Sequence, residues 1–548
     1  MMLKGSASWV SAALGALLMA VSTAPARATQ QDVEMLDHVL RRFAFSAPPE
    51  TVNALLGGSG GAWLAAANNW VNSQLSLTVD RNAVPLQAPP VAPVSWSTDD
   101  SNYEAGYVEH TIGTNQQLRA KLQLHWIDMF SVTGNSTAPP AMYIYRDILW
   151  KNALGNFQTL LTSVAETPAE LWALSNNGSN GQNPSTPPNV NFAREVMQIF
   201  SIGPVKLNMD GTPVRDAHGV PVPNYTPGDI YTLAYTMTGY TIQTNTTTNA
   251  LLQLSASMNT NNHYWGAPAT YAGYDLTQFL GKPFKAYKHL NPFPAVVSEL
   301  AHNPSAAPFQ AKQLIQRFVT ENPSGAFVER IANVWAANVD SPNQIAAVIQ
   351  AILNDPEFAT SYQSMTKQPI EKLFGLMRQL PGTFAPLTPL TSGGATTETG
   401  ANSLIWFLSQ MGQDPDNPID VFSFYPIGAV EQVSNTISYV QWLQQSSWLV
   451  STPNATTGAW IDIPTLRVRI AAANNVAPSA INAVMAVRYI AAAMIDANPQ
   501  RVDQLAIDGG PANNPIVEAL SLLQGSPSDY ELQQAIWVIA ASPEYNVN

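Results

Sequence analysis

The segment N-V-N-F-A-R-E-V-M-Q-I-F-S-I-G, residues 189–203, places four polar residues at helical spacing. At 3.6 residues per turn they form one narrow stripe on the predicted helix: Asn191, Arg194, Glu195 and Gln198. The other positions from 192 to 200 are apolar, so we expect the stripe to be buried, where charges must be paired or hydrogen-bonded. Glu195 is then a candidate catalytic carboxylate whose charge Arg194 controls, with Asn189 and Asn191 as binding residues. The alternative is a structural salt bridge to a neighbouring helix.

A second polar stripe is predicted on a helix over residues 114–130, and it contains Gln117, Lys121, His125 and Asp128. His125 and Asp128 lie three residues apart, a spacing at which they can share or orient a proton, so both are candidate catalytic residues. The alternative is a capping box between Thr114 and Gln117, followed by an ordinary solvent-exposed face.

A third stripe is predicted on a helix over residues 31–45, and it contains Glu34, His38, Arg41 and Arg42. Paired arginines suit carboxylate, phosphate or sulfate groups, because each guanidinium donates two parallel hydrogen bonds. His38, Arg41 and Arg42 are therefore candidate binding residues in an anion-binding wall. We favour the alternative slightly, which is an intrahelical network of Glu34, His38 and Arg41 at the surface.

The N-terminus has the pattern of a secretory signal over residues 1–28, with Lys4, an apolar run at 10–21 and a small-residue cleavage site at 26–28. The run is too short to span a bilayer, and no later segment has the required length. We therefore expect an exported protein, in the periplasm or the medium, without a transmembrane segment after signal removal.

Composition narrows the class of partner. Removal of residues 1–28 takes away two basic residues and no acidic one, which changes the net charge from −13 to −15. An acidic protein is a poor ligand for nucleic acid or for anionic membranes. The chain has no cysteine, so no disulfide stabilises it, but its 548 residues are 46% hydrophobic and can bury a large core.

Helical periodicity and capping signals dominate the chain and predict a mainly α, large multi-helix protein with one or two small β-hairpins. Besides the helices named above, helices are predicted over residues 157–165, 168–174, 191–201, 227–238, 308–319, 326–336, 343–353 and 368–378. The turn Asp210-Gly211 predicts a hairpin of residues 205–209 and 212–215, and the Thr-rich residues 241–257 a second β segment.

Residues 381–402, rich in Thr, Pro and Gly, are predicted to be a linker or surface loop. It would divide an N-terminal helical region, residues 29–380, which carries the polar stripes, from a C-terminal helical region, residues 403–548.

Motifs for metals and common cofactors are missing. The seven histidines are scattered, and the chain has no His-x-x-Glu-His motif, P-loop, dinucleotide fingerprint or Gly-x-Ser-x-Gly elbow. We therefore expect no metal site and no cofactor.

Short motifs follow one another along nearly the whole mature chain: H-V-L-R-R-F-A-F at 38–45, L-x-x-K-x-x-L-x-W at 118–126, N-A-L-G-N-F at 152–157, N-x-N-F-A-R-E…F-S-I-G at 189–203, Y-T-P-G-D-I…T-G-Y at 225–240, H-N-P…K-Q-L-I-Q-R-F-V at 302–319, V-F-S-F-Y-P at 421–426 and S-P-E-Y at 542–545. This ordered set resembles the bacterial exported family called domain of unknown function 1800. The resemblance implies a helical, exported protein, often encoded beside a secreted sulfatase-like partner family. It brings no established reaction.

The chain departs from that family's pattern at the Trp-His-Asn-His-Phe run, where residues 126–130 read W-I-D-M-F. Both family histidines are missing, so any metal or acid–base role that they have in relatives is not expected here. Val190 and Gln198 replace acidic residues of the pattern, and Tyr235 replaces an arginine.

Two functions of different classes remain. The first is an envelope enzyme that acts on a polar polymer or glycoconjugate by carboxylate acid/base chemistry. Glu195 or Asp128 would carry the proton. Arg194, with Arg41 or Arg42, would bind an anionic group, and Trp126 would contact the sugar. The alternative is a non-catalytic binding or assembly protein that works with the sulfatase-like partner, which the missing histidines and the low charge favour. The enzyme hypothesis predicts that Arg42, Asp128 and Glu195 line one cleft.

Overall fold

The structure is a computed structural model, and it describes residues 28–46, 48–79, 106–133, 139–183, 186–244, 254–361, 365–384, 400–415, 417–418, 459–495, 499–511 and 513–547. The predicted signal, apart from its last residue, and residues 385–399 of the predicted linker lie outside this part of the chain.

Helices make up most of the described residues, which confirms the predicted mainly α class. Up to the predicted linker they are α1 Gln30–Phe43, α2 Pro49–Gly58, α3 Trp63–Ser76, α4 106–113, α5 Gln117–Phe130, α6 Pro139–Asn152, α7 Phe157–Ala165, α8 Pro168–Ala173, α9 Asn191–Gln198, α10 Pro227–Thr236, α11 Phe293–Ala301, α12 Ala306–Phe318, α13 Gly325–Ala337, α14 Gln344–Leu353, α15 Pro356–Ala359 and α16 Pro369–Gln379. After it they are α17 Gly400–Gln410, α18 Ile463–Asn474, α19 Ala483–Ile495, α20 Pro499–Asp508, α21 Pro515–Leu522 and α22 Asp529–Ala541.

The described strands are short and form four antiparallel pairs. They are β1 Tyr240–Thr244 with β2 Leu254–Met258, β3 Thr270–Tyr271 with β4 Tyr274–Asp275, β5 Gln278–Phe279 with β6 Lys282–Pro283, and β7 Gly382–Phe384 with β8 Ala459–Ile461. The β1–β2 pair confirms the second predicted β segment.

The predicted hairpin around Asp210 is also present, as single β-bridges rather than continuous strands. Leu207 bridges Pro213, and a third segment extends the meander through the bridge between Arg215 and Pro221. Asp210 Oδ1 accepts from the Thr212 N–H at 2.9 Å, which is ordinary turn chemistry.

The predicted capping box between Thr114 and Gln117 is wrong. A separate helix, α4, ends at residue 113, and α5 begins after Gln116, its N-cap residue. Thr114 Oγ1 accepts from the Gln116 N–H at 3.1 Å, and Gln117 Nε2 donates to the carbonyl oxygens of Thr111 and Thr114, both at 2.9 Å. These side chains therefore fix the turn between two helices.

One apolar core runs through the described helices on both sides of the predicted linker, and it includes Leu376 of α16 and Ile490 of α19. Strand β7, at the start of that linker, pairs with β8 beyond it. The division into two helical regions stays a prediction. Among the described residues, no helix has the length and apolar character needed to cross a bilayer.

Candidate functional site

Helix α9 carries its polar stripe at the surface, so the prediction of a buried stripe is wrong. Asn191 and Arg194 are exposed, and Glu195 and Gln198 are partly buried. The helix has eight residues, and four apolar side chains cover its inner face: Phe192, Ala193, Val196 and Met197. Such a short amphipathic helix needs no internal partner for polar groups that face water.

The two asparagines of this segment lie at the start of α9. Asn189 is partly buried, and its Oδ1 accepts from the Asn191 N–H at 2.8 Å. Their predicted binding role remains a prediction.

Glu195 lies beside a second carboxyl group. Partial burial raises the pKa of Glu195, and the neighbouring Arg194 acts in the opposite direction. Glu170, in α8, is completely buried, and its carboxyl oxygens have no hydrogen-bond partner within the described part of the chain. Burial and then repulsion by Glu195 raise the pKa of Glu170 well above its usual range, which favours the neutral acid.

Two tyrosines lie next to this carboxyl pair. Burial, together with the charges of Glu170 and Asp128, raises the pKa of Tyr145 well above its usual range. Burial and the charge of Glu195 also raise the pKa of Tyr225, whose hydroxyl donates to Gln198 Oε1 at 3.3 Å. Tyr145 is thus in electrostatic contact with Glu170 and with Asp128 of α5.

The polar stripe of α5 is buried, so the alternative of a solvent-exposed face is wrong. Helix α5 packs against α1, α3 and α6, and every residue of it except Asp128 is buried. The side chain of Asp128 is 14% exposed. A helix enclosed in this way must find internal partners for its charged side chains.

Those partners come from α12 and from the start of α16. Lys121 Nζ pairs with Glu371 Oε1, and Arg317 Nη1 donates to Asp128 Oδ2 at 3.0 Å. Gln368 connects the two pairs, because its Oε1 accepts from Arg317 Nη1 at 2.6 Å and its N–H donates to Glu371 Oε2 at 3.1 Å. We call these five residues the α5 charge network.

In the network, neighbouring charges and burial shift the pKa values of Glu371 and Lys121 in opposite directions, and the stronger effect differs between the two residues. Burial acts to raise the pKa of Glu371, but Lys121 and Arg317 outweigh it and lower that pKa to about 2. Burial lowers the pKa of Lys121 to about 8, although Glu371 favours the charged amine. Glu371 is therefore a permanent anion near neutral pH, which suits an internal clamp better than a proton donor.

His125 and Trp126 are enclosed in the same region. Burial, reinforced by Arg317, lowers the pKa of His125 to about 3, and its Nε2 has no hydrogen-bond partner among the described residues. Trp126 is completely buried, packs edge-on to His125 at 4.6 Å, and donates from Nε1 to the Ala153 carbonyl oxygen at 3.0 Å. A neutral, enclosed imidazole and a covered indole give no support to the predicted catalytic and sugar-binding roles, which remain predictions.

The residues of the predicted α1 stripe are buried except Glu34, so the predicted surface network of Glu34, His38 and Arg41 is wrong. Glu34 accepts a hydrogen bond from Gln30 at 3.1 Å, and Arg41 pairs with Asp37 one turn earlier. Arg41 also donates to two carbonyl oxygens near the end of α19: Ala493 at 3.1 Å and Met494 at 2.7 Å. It joins the N-terminal helix to the C-terminal region.

Arg42 and His38 are likewise used internally. Arg42 Nη2 donates to the Val319 carbonyl oxygen at 2.8 Å, and burial lowers the pKa of Arg42 to about 10 against the opposing effect of Glu371. His38 Nε2 lies 3.3 Å from Ser361 Oγ, and burial lowers the pKa of this histidine well below its usual range. Their burial does not support the predicted anion-binding wall, which stays a prediction.

The three predicted stripes are brought together only in part. Arg42 of α1 and Lys121 of α5 both lie within the electrostatic influence of Glu371. The α9 stripe is at the surface, where Glu195 is in electrostatic contact with Glu170.

Sequence reasoning missed four residues that matter here: Glu170, Arg317, Gln368 and Glu371. Glu170 and Glu371 are each the third residue of a helix. With the N-cap residue first, the two segments read T-P-A-E and Q-P-I-E, a pattern typical of a capping carboxylate. Arg317 stands between Gln316 and Phe318 in the motif at residues 312–319, so its neighbours in the sequence do not indicate its burial.

A family model matches residues 38–547, a span that contains the α5 charge network and the carboxyl pair. The family is described as protein of unknown function (DUF1800), and the chain belongs to it. No curated protein and no solved structure matched the chain. Within the described ranges, no three His, Asp or Glu side chains are grouped so that they could hold a metal ion.

Proposed function

We propose that this protein is an exported envelope enzyme that acts on a polar polymer or glycoconjugate, with Glu195 as its acid/base group. The observation that carries the proposal is the carboxyl pair, in which Glu195 is partly buried, Glu170 is completely buried and the two are in electrostatic contact. The pKa values of both groups are raised. Enzymes that protonate a leaving oxygen near neutral pH use a carboxyl group whose pKa is raised by its surroundings.

The local charges suit such a role. Glu195 can donate a proton to a substrate oxygen at the surface, and its partial burial favours keeping that proton until transfer. Arg194 is exposed beside it and can bind an acidic or sulfated group of the polymer. Export, to the periplasm or the medium, is part of the proposal and is supported by the signal pattern of residues 1–28.

The test measures the release of reducing ends from peptidoglycan, alginate and heparin by the purified mature chain. We expect Glu195→Gln to lower turnover at least about a hundredfold without lowering the urea unfolding midpoint. Glu299→Gln removes another exposed carboxylate, in α11, and should leave turnover unchanged. Equal turnover of Glu195→Gln and the unmodified chain contradicts the assignment, and so does the absence of product from all three polymers.

A second candidate is a non-catalytic binding or assembly protein that works with a secreted sulfatase-like partner. The observation that favours it is the internal use of Arg41 and of Asp128, which leaves α9 as a polar surface. Arg194→Glu should then weaken binding of that partner in a surface-immobilised binding assay, whereas Glu195→Gln should have little effect. Turnover that depends on Glu195 would exclude this candidate.

A further inference from the structure

A cavity of about 400 Å³ lies between α3, α5 and α14 and the end of α6. Part of its wall is apolar, formed by Leu75, Leu154, Ala346 and Ala347. Its volume falls in the range of small-molecule binding sites, which combine apolar walls with a few fixed polar groups. None of the residues discussed under the proposed function lines it.

The fixed polar group is Arg119, which lines the cavity and is 7% exposed. Arg119 Nε donates to Gln116 Oε1 at 3.1 Å, and Nη1 donates to the carbonyl oxygens of Trp150 and Lys151 at 2.8 and 3.3 Å. An arginine has five N–H donors, and these bonds use Nε and Nη1. Within the described residues no acceptor is bound to Nη2, so this nitrogen is available to a ligand in the cavity that Arg119 lines.

The acceptors around Arg119 are neutral, and its Cζ lies 5.7 Å from the centre of the Trp150 ring, so these contacts hold the guanidinium in place without an anionic partner. Burial lowers the pKa of Arg119 to about 10, which leaves it cationic at neutral pH. Lys151, the other cation of the wall, pairs with Asp147, which does not line the cavity. The lining includes no carboxylate, and its remaining polar side chains are the amides of Asn343 and Gln350.

We propose that this cavity binds a small organic oxyanion, with a carboxylate or phosphate group at Arg119 Nη2 and a short apolar body against Leu154 and the alanines of α14. A charged hydrogen bond in a partly desolvated site is strong, because little water competes for the donor. The apolar wall adds affinity in proportion to the surface that the ligand covers. The inference is independent of the proposed function, because it uses neither carboxyl group of that site.

The test is isothermal titration calorimetry of the mature chain with three probes: inorganic phosphate, acetate and hexanoate. We expect hexanoate to bind more tightly than acetate, since its additional methylenes cover the apolar wall, and we expect its affinity to fall as salt increases. Ala347→Leu fills the cavity from a partly exposed position of α14 and should abolish hexanoate binding without a loss of stability.

Arg119→Met removes the charge and should weaken every probe about tenfold or more. Lys312→Met makes the same charge change at an exposed position of α12 and should leave the affinities unchanged. Because Arg119→Met also removes three hydrogen bonds, its urea midpoint is measured alongside, and Ala347→Leu decides the result if Arg119→Met unfolds. Undetectable binding of all three probes overturns the inference, as does hexanoate binding that survives Ala347→Leu. Equal affinity for acetate and hexanoate overturns the apolar part of the site.

Discussion

Replacing Glu371 by glutamine tests whether the α5 charge network stabilises the protein as its geometry indicates. The glutamine has almost the same shape, so the change removes a charge and creates no cavity. It leaves Lys121 and Arg317 buried without the carboxylate that both of them face.

The expected size of the effect follows from the two pKa values of the ion pair. A fall in the pKa of Glu371 from 4.5 to about 2 stabilises the folded state by about 3 kcal/mol. A fall in the pKa of Lys121 from 10.5 to about 8 acts against folding by a similar amount, because burial of the amine outweighs the attraction of Glu371. Glu371→Gln removes the gain and keeps the cost, and we expect a loss of about 3–5 kcal/mol.

The pH dependence has a definite sign. The folded pKa of Glu371 is below its unfolded value, so its contribution is complete above pH 4.5 and is lost as the pH falls toward 2. Lys121 also has a lowered folded pKa, so stability rises with pH between 8 and 10.5, where the folded protein alone has lost the proton. Without Glu371 the pKa of Lys121 falls further, and this recovery should begin nearer to neutral pH.

The assay is urea unfolding at about pH 6.5 and about pH 8.5, followed by circular dichroism. The urea midpoint of Glu371→Gln should rise between the two pH values, whereas that of the unmodified chain should change less. Adding Lys121→Met should restore most of the lost stability, because an apolar side chain needs no counter-charge. Glu299→Gln, which opens an exposed pair with Lys282, should cost less than about 1 kcal/mol. If Glu371→Gln also lowers the free energy of unfolding by less than about 1 kcal/mol, and its urea midpoint does not rise at higher pH, the reasoning is refuted.

Three other substitutions test the positions of individual side chains. Glu170→Gln should raise the urea midpoint at about pH 8 and change it little at about pH 4. The reason is that the raised pKa of Glu170 makes its ionisation in the folded state costly above pH 4.5. Equal effects at both pH values would contradict this. Arg41→Met should cost about 3–5 kcal/mol in urea unfolding, and Asp37→Asn should recover part of it, whereas a loss below about 1 kcal/mol would show that the buried pair is dispensable. Arg194→Met should change stability by less than about 0.5 kcal/mol, and a larger fall in thermal melting would mean that α9 is not a surface helix.

Helix positions were predictable because the signals that begin a helix are local. Asn156 caps α7, whose bounds Phe157–Ala165 match the predicted helix. The segment from Thr226 to Asp229 forms the capping box that its sequence indicates, with Pro227 at the first position of α10. These contacts join residues at most three apart, so the sequence alone contains both partners.

Burial of polar stripes was not predictable in the same way, because it depends on partners that are distant along the chain. Asp128 and Arg317 are 189 residues apart, and Lys121 and Glu371 are 250 residues apart. The polar side chains of α5 therefore resembled a solvent-exposed face, although other helices enclose them. The opposite error was made at α9. Most of its residues are apolar, which suggested that the whole helix is buried, but only its apolar face packs against the protein and its polar stripe faces outward.

The segment W-I-D-M-F at residues 126–130 stands where the resemblance to the family led us to expect two histidines. Ile127 and Met129 occupy the histidine positions, and they are 3% and 4% exposed within the apolar core. Asp128 between them pairs with Arg317, and that arginine also donates to Gln368, the N-cap residue of α16. A histidine introduced at either apolar position would have to find a buried hydrogen-bond partner or remain neutral at a cost in stability. The proposed role of Glu195 as the proton carrier is consistent with this packing, because its carboxyl group is only partly buried, whereas that of Asp128 is held in an internal ion pair.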